Sequence, residues 1–397
     1  MQQLTVNFIM RKLIATTLFL FFVCSAISAQ TADSMKPTDY SESVSYQPRE
    51  FKFKSSKPKK QKKAKKENKE KTVSPVAEPL AAEVSLIKED KLLNLPVAIF
   101  DAKGGAVLNL KKEDFKVFVD DEEREVQDFN TSEQPYNLIL ILDVSPSTAL
   151  QIEEIREYAM NLVKQLRPQD KVMVIKFDEQ TEVMTGLTSD RSVINKAIGK
   201  AKFGNGTSLY QTVKFSLQKR VSQINGRKTV VMLTDGVDTT SRKATLEDSL
   251  YEAEKNDAPF FPVYVDTYQN ANILVRRSNF PGNQVLQQIL SQNTIGSGQM
   301  PDMEEEYARG RFYLDELAHL SGGRTIAVKD LSKSKLTGFE GFFEAFRNQY
   351  NLSFQPLPES GKIGQRRQIR VRVNRPNLYV QARGSYIVGY NLPQSAK

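Results

Sequence analysis

Between about residues 133 and 349 the chain alternates two hydrophobic patterns. Continuously apolar runs of strand length, "YNLILILD", "KVMVIKF", "RKTVVMLTDG", "APFFPVYVD" and "RTIAV", are separated by stretches with apolar residues at helical spacing. The helical stretches are "IEEIREYAMNLVKQL", "DRSVINKAIGKA", "SLYQTVKFSLQKRV", "ATLEDSLYEAEKN", "EYARGRFYLDELAHLSGG" and "GFEGFFEAFRNQY". A strand with no polar face is covered on both sides, as in a parallel sheet. Strands separated by helices predict βαβ units. The expected fold class is therefore α/β, a doubly wound, mostly parallel sheet, with "TEVMTGLT" as a short edge strand.

On either side the period changes to two. Residues 84–131 contain "NLPVAIFDAKGG" and "DFKVFVDDEEREVQDF", which predict a small β-unit. Residues 350–392 contain "YNLSFQP", "RQIRVRVNRP", "LYVQARGSY" and "SYIVGY", which predict antiparallel strands. The two β-units bracket the α/β segment and are expected to fold as one sandwich with that segment inserted. Residues 267–301 interrupt the strand–helix rhythm and form an insertion, leaving the sheet on the side where its strands end. It either shapes ligand choice or is a tolerated surface loop.

The first 29 residues read as a secretory signal. Arg11 and Lys12 precede "LIATTLFLFFVCSAISA", with cleavage expected after Ala29 and Met10 as an alternative start. An exported protein in the periplasm, outer envelope or extracellular space is expected. Residues 30–83, rich in Ser, Pro, Lys and Glu, are expected to be a disordered linker. Between Phe51 and Thr72 eleven lysines and two glutamates account for the whole net charge of +9. The basic character thus belongs to a tail. Such a tail touches an anionic envelope surface electrostatically, with salt-sensitive strength, and without interleaved aromatic residues it predicts no specific nucleic-acid binding. The only cysteine, Cys24, lies in the signal behind bulky Phe21, Phe22 and Val23, which argues against lipidation. A mature chain without thiols has no disulfide and no cysteine nucleophile. One histidine, His319, excludes chemistry that needs two, and near a helix C-terminus it reads as a packed structural residue.

Ligands of doubly wound sheets bind at the carboxyl ends of the strands. At the end of "YNLILILD" stand Asp143, Ser145 and Ser147; at the end of "VVMLT" stands Asp235; and Thr207 lies in "GNGTSLY" before a helix. All five are hard oxygen donors, and such a set suits Mg²⁺, Mn²⁺ or Ca²⁺. Singly, each such residue reads equally well as a helix cap. Asp143 and Asp235 could also be a carboxylate pair for acid–base hydrolysis. No nucleophile elbow, second histidine or Gly-rich phosphate loop supports an enzyme, and none is expected.

The pattern Asp143-Val144-Ser145-Pro146-Ser147, then Thr207, then Asp235 in "LTDG", resembles the von Willebrand factor type A domain and its metal-ion-dependent adhesion site. The flanks "LPVAIFDAKGGAVLNLKKEDFKVFVDDEEREVQDF" and "IRVRVNRPNLYVQARGSY" resemble those of bacterial exported proteins related to that domain. Pro146-Ser147-Thr148 departs from the common Gly-Ser-Met, at Pro146 and Thr148, which are not ligand positions. The resemblance implies a protein-binding module. Ser145 and Ser147 would coordinate the ion directly, and Thr207 and the aspartates partly through water. An Asp or Glu carboxylate of a protein partner would fill the open position. A structural or envelope-tethering protein with a vestigial metal site is the alternative, and a hydrolase using Asp143 and Asp235 the remote one.

Overall fold

A computed structural model of the chain describes residues 40–43, 49, 92–131, 135–268, 303–328, 331, 339, 341–356 and 364–389. The leader expected at 1–29, the lysine run and all but the first two residues of the insertion 267–301 lie outside them. In chain order the strands are β1 (Ser41–Glu42), β2 (Leu93–Phe100), β3 (Phe115–Val119), β4 (Glu122–Arg124), β5 (Val126–Asn130), β6 (Asn137–Asp143), β7 (Lys171–Phe177), β8 (Thr181–Thr188), β9 (Lys228–Thr234), β10 (Phe260–Val265), β11 (Ile326–Val328), β12 (Tyr350–Phe354), β13 (Arg366–Val373), β14 (Tyr379–Gln381) and β15 (Ser385–Ile387). The α-helices are α1 (Ile152–Lys164), α2 (Arg191–Lys200), α3 (Leu209–Lys219), α4 (Leu246–Lys255), α5 (Met303–Ser321) and α6 (Phe342–Arg347).

The apolar runs of the middle segment form one sheet in the order β11-β10-β9-β6-β7-β8, parallel except for β8 at the edge. Alternate residues of β6 enter two different cores. Leu138, Leu140 and Leu142 pack with α1, α2 and α6, while Ile139 and Ile141 pack with α3, α4 and α5. Burial on both faces is why these strands carry no polar alternation. Local signals set the helix starts: the Asp190 carboxylate accepts the N–H groups of Ser192 and Val193 at α2, and Thr245 with Asp248 closes a capping box at α4. From β6 the chain proceeds outward to β7 and β8, then returns to β9 on the other side of β6. The topological switch point thus lies between β6 and β9, where doubly wound sheets open a crevice for ligands.

The two flanking segments meet as expected. β12 pairs with β2 and β5, with Leu352 opposite Leu95, and β13 pairs with β3, with Val371 opposite Val117. The two sheets, β14-β2-β12-β5 and β1-β13-β3-β4 with β15 on β13, enclose their own core around Leu95, Val117, Tyr350, Leu352, Val371 and Phe354. Sandwich and α/β core are fastened by buried polar contacts. Glu254, at the end of α4, accepts from Arg366 Nε and Nη2, each at 2.6 Å, and from Ser385 Oγ at 2.5 Å. Arg383 donates to the carbonyls of Glu254 and Asn256, and Gln381 to those of Gly322 and Gly323. The sandwich therefore supplies hydrogen-bond donors to the carbonyl ends of α4 and α5.

One expectation is overturned. Disorder through residues 30–83 fails at Tyr40–Ser43, where β1 pairs with β13, Ser41 opposite Val373 and Glu42 opposite Arg372. Averaged over fifty residues, the composition is that of a linker; a strand this short leaves no periodic signal and takes its stability from a pre-existing sheet edge. Further on, Arg49 pairs with the buried carboxylate of Glu316 on α5 and lies over the Phe312 ring, 5.6 Å from its centre.

Candidate metal centre

β6 and β9 are neighbours in register, Leu142 beside Leu233, so Asp143 and Asp235 stand side by side where the two strands end. Both side chains are fully buried. Neither is neutralised by a lysine or arginine in the ion pairs formed among the described residues; both are held by hydroxyls and amides. Asp143 Oδ1 accepts the Ser145 N–H at 2.9 Å, and Oδ2 accepts the Thr234 hydroxyl at 2.6 Å. Asp235 Oδ1 accepts the Val237 N–H at 3.1 Å, and Oδ2 accepts the Thr267 hydroxyl at 2.7 Å. Thr267 is itself 2.6 Å from the Tyr307 hydroxyl of α5.

The Ser145 and Ser147 hydroxyls lie 3.1 Å apart, and Ser147 also hydrogen-bonds Asp235. The Thr148 hydroxyl donates back to the carbonyls of Asp143 and Ser145, closing the turn in a 3₁₀ conformation over Pro146–Gln151. Pro146 at the first helical position suits that turn. Thr207 comes from the third loop. Its N–H donates to Thr239 Oγ1 at 3.0 Å, while its carbonyl accepts the N–H groups of Thr239 and Thr240. Those two residues belong to the loop that starts at Asp235. The same third loop is bonded to the first, through Gly204 N–H to the Val144 carbonyl at 2.8 Å. A side chain at Gly204 would overlap Asp178 Oδ2 at 1.7 Å, so any larger residue there requires the Asp178 side chain to move. The structure thus gathers Asp143, Ser145, Ser147 and Asp235 by direct contact and brings Thr207 to them by main-chain bonds.

Burial, then the neighbouring Asp235 charge, pushes the Asp143 carboxyl up to about 7 against the opposing bonds from Ser145 and Thr234. Burial raises Asp235 too, with Ser147 and Thr267 opposing. Two buried carboxylates facing each other without a cation are an unfavourable pair, and hydroxyl bonds offset this only in part. Among the described residues no three His, Cys, Asp or Glu side chains come together as a metal cluster. Two carboxylates with the hydroxyls of Ser145 and Ser147 beside them fit a hard divalent ion that keeps part of its hydration.

Several residues that build this site carry no motif. Thr234 is visible only as the residue before Asp235. Thr267 and Tyr307 are brought to Asp235 by the fold. Gly310 is the least apparent: a Cβ there would lie 2.7 Å from the Gly236 carbonyl carbon, and a Cβ on Gly236, whose φ is +82°, would lie 2.7 Å from the Gly310 oxygen. α5 therefore presses backbone to backbone on the loop that carries Asp235. Gly310→Ala is expected to destabilise the protein by about 1–3 kcal/mol through overpacking. It is also expected to weaken the response to divalent ions by displacing Asp235. Gly199→Ala, with nothing within 4 Å of the added carbon, should instead be neutral or stabilising by about 0.4–1 kcal/mol. Thermal melts with EDTA and with Mg²⁺ check both.

Residues 138–237 match the family model of the von Willebrand factor type A domain. An uncharacterized protein of Synechocystis sp. is 31% identical over 106 residues, 26% of this chain and 25% of that protein. The chain thus spans a quarter of the curated relative it matches. Among solved structures, an aerotolerance-related membrane protein from Bacteroides fragilis aligns at 15% identity over 52% of this chain and 99% of that one, TM-score 0.37. A von Willebrand factor type A protein from Catenulispora acidiphila aligns at 13% over 76% and 73%, TM-score 0.36. Proximal thread matrix protein 1 of the mussel byssus, solved with a zinc-occupied MIDAS motif, aligns at 13% over 58% and 49%, TM-score 0.37.

Proposed function

We propose, for a chain that carries a von Willebrand factor type A domain at residues 138–237, that it is a metal-dependent protein-binding module of the adhesion type. The observation that supports this reading is the pair of buried carboxylates, Asp143 and Asp235, held side by side at the switch point and, among the described residues, bonded by hydroxyls and amides and in no ion pair with a lysine or arginine. Asp143, Ser145, Ser147, Thr207 and Asp235 would hold Mg²⁺ or Mn²⁺, with Ca²⁺ as a further candidate. When bound, the ion supplies a Lewis-acidic position for an Asp or Glu carboxylate of a partner protein. The chain's own residues do the rest. The hydroxyls of Thr234 and Thr267 orient the carboxylates, the Thr148 bonds fix the serine turn, and the Thr207 loop is tied to both other loops. Export is part of the proposal and rests on the basic, apolar and small-residue order of residues 1–29.

The direct test is Mn²⁺ titration of the full chain, followed by capture of proteins from envelope extract with Mg²⁺ or with EDTA. Thr207→Ala is expected to weaken Mn²⁺ binding about 10–100-fold, the range for a group that orients bound ligands or water, and Ser147→Ala at least as much. Mg²⁺-dependent capture should disappear in the same variants. Wild-type protein that binds no divalent ion at millimolar concentration would leave the structural, tethering role as the better reading.

A further inference from the structure

Each carboxylate of the candidate centre is held by a threonine, and each threonine is held in turn by a donor behind it. A threonine has a single hydroxyl proton to give, and an ionised carboxylate only accepts. Thr234 gives its proton to Asp143 Oδ2 at 2.6 Å and accepts the Gly236 N–H at 3.1 Å. Thr267 gives its proton to Asp235 Oδ2 at 2.7 Å, so across the 2.6 Å contact with Tyr307 the phenol is the donor. The two chains differ in their last member. Behind Asp143 it is a main-chain amide of the same loop. Behind Asp235 it is a side chain of α5, 40 residues from Thr267. Thr267 is fully buried and Tyr307 nearly so. The Tyr307 ring meets that of Tyr268 edge to face, with centres 5.3 Å apart. One turn further along α5, Gly310 rests on Gly236 and sets the distance of the helix from the Asp235 loop.

We infer that Tyr307 is a positioning residue of the metal centre: by donating to Thr267 it commits the Thr267 proton to Asp235, and so fixes the rotation at which that carboxylate meets the ion. This rests on the reading of Asp143 and Asp235 as holders of a divalent ion. The torsion that turns a carboxylate about its last bond is broad, so its direction comes from the groups bonded to it. With the phenol gone, the Thr267 hydroxyl is free to turn, and Asp235 keeps only the Val237 N–H and Ser147 as fixed partners. Outer partners of this kind are worth about 10–100-fold in metal affinity. Through Tyr307, α5 becomes part of the centre although it supplies no ligand.

Calorimetric titration of the full chain with Mn²⁺ tests this, on variants whose folding is checked by melts in EDTA. Tyr307→Phe is expected to weaken Mn²⁺ binding about 10-fold and Thr267→Val about 10–100-fold. Thr267→Ser, which keeps the hydroxyl, should bind as wild type does. Because Tyr307 acts through Thr267, the double variant Thr267→Val, Tyr307→Phe should bind within about twofold of Thr267→Val alone. Tyr313→Phe removes another buried bond of the same helix, to Ser249 at 3.0 Å, and should leave Mn²⁺ binding unchanged. Should Thr267→Val not fold, Tyr307→Phe, Thr267→Ser and Tyr313→Phe decide the matter. The proposal fails, with the metal reading intact, if Tyr307→Phe binds Mn²⁺ as tightly as wild type. It fails in the same way if the two losses multiply in the double variant, if Thr267→Ser loses as much as Tyr307→Phe, or if Tyr313→Phe does. A wild type that binds no Mn²⁺ overturns both.

Discussion

In metal-free buffer at pH 8, Asp143→Asn is expected to melt above the wild type, and millimolar Mg²⁺ to raise the wild type but leave the variant unmoved. Both effects come from the carboxylate pair. The amide oxygen keeps the bond from the Thr234 hydroxyl and gives up the one from the Ser145 N–H, but the substitution removes one of two facing buried charges, the larger effect. Metal held only by the folded chain adds roughly 2.7 kcal/mol at a hundredfold excess over its dissociation constant, and the variant has lost a charged ligand. The pH dependence follows with a definite sign. The Asp143 carboxyl lies near 7 in the folded protein, above its ordinary value of 3.8. Between those values the folded state holds more protons than the unfolded one, so stability falls as pH rises through that window. Metal-free wild type should therefore be more stable at pH 5 than at pH 8, and the variant should show less of that slope. Protons compete with the ion in the same window, so Mg²⁺ should stabilise wild type more at pH 8 than at pH 5. Melting curves of both proteins at the two pH values, with EDTA and with Mg²⁺, decide it; a wild type that melts higher at pH 8 without metal contradicts the buried-pair reading.

Arg347→Ala is expected to be the most destabilising single change at the other end of the sheet. Arg347, at the last turn of α6, donates through Nε and Nη2 to Asp170 Oδ2 at 3.1 and 2.7 Å. Asp170 is fully buried, and its oxygens also accept the N–H groups of Tyr136 at 3.0 Å and Arg167 at 2.9 Å. Removing the guanidinium strands a buried carboxylate, which costs about 3–5 kcal/mol. In a protein of this size that lowers the melting temperature by roughly 10 °C. Adding Asp170→Asn to the variant should recover part of the loss, since it removes the stranded charge while the amide oxygen still accepts one of the two main-chain donors, which bond to different carboxylate oxygens. A double variant no better than Arg347→Ala alone would place the loss in packing around α6, where Phe342 and Phe346 meet Phe261 edge to face, and not in the ion pair.

The α/β order and the placing of Asp143 and Asp235 at the ends of neighbouring strands were legible because each rests on a local pattern. "YNLILILD" has no polar face, and a strand of that kind followed by Asp143 puts the acid at a sheet edge wherever the strand lies. The bracketing β-units were legible through their period of two, although their registers, such as Leu352 on Leu95, depend on which strands meet. What could not be read lies between elements distant in sequence. Nothing around Thr267 announces that its hydroxyl reaches Asp235, and a glycine at position 310 of a helix reads as a weak point until Gly236 is found against it. Tyr40–Ser43 was misread for a related reason: its structure is supplied by Val371, Arg372 and Val373, more than three hundred residues away.

The sandwich is made from both ends of the chain, and this has a consequence for how the molecule is assembled. β2 and β3 are synthesised early, yet the strands they pair with, β12 and β13, come about 250 residues later. Closing so long a loop before any cross-strand contact forms places this module among the slow, high-contact-order folders. The intervening α/β segment is built from neighbouring strands and helices and can condense first. In a refolding experiment the α/β core is expected to gain amide protection ahead of Leu95, Val117 and their partners. Until the last strands arrive, β2 and β3 stand with unpaired edges, so the window for misassociation of this protein closes only when its C-terminal strands are in place.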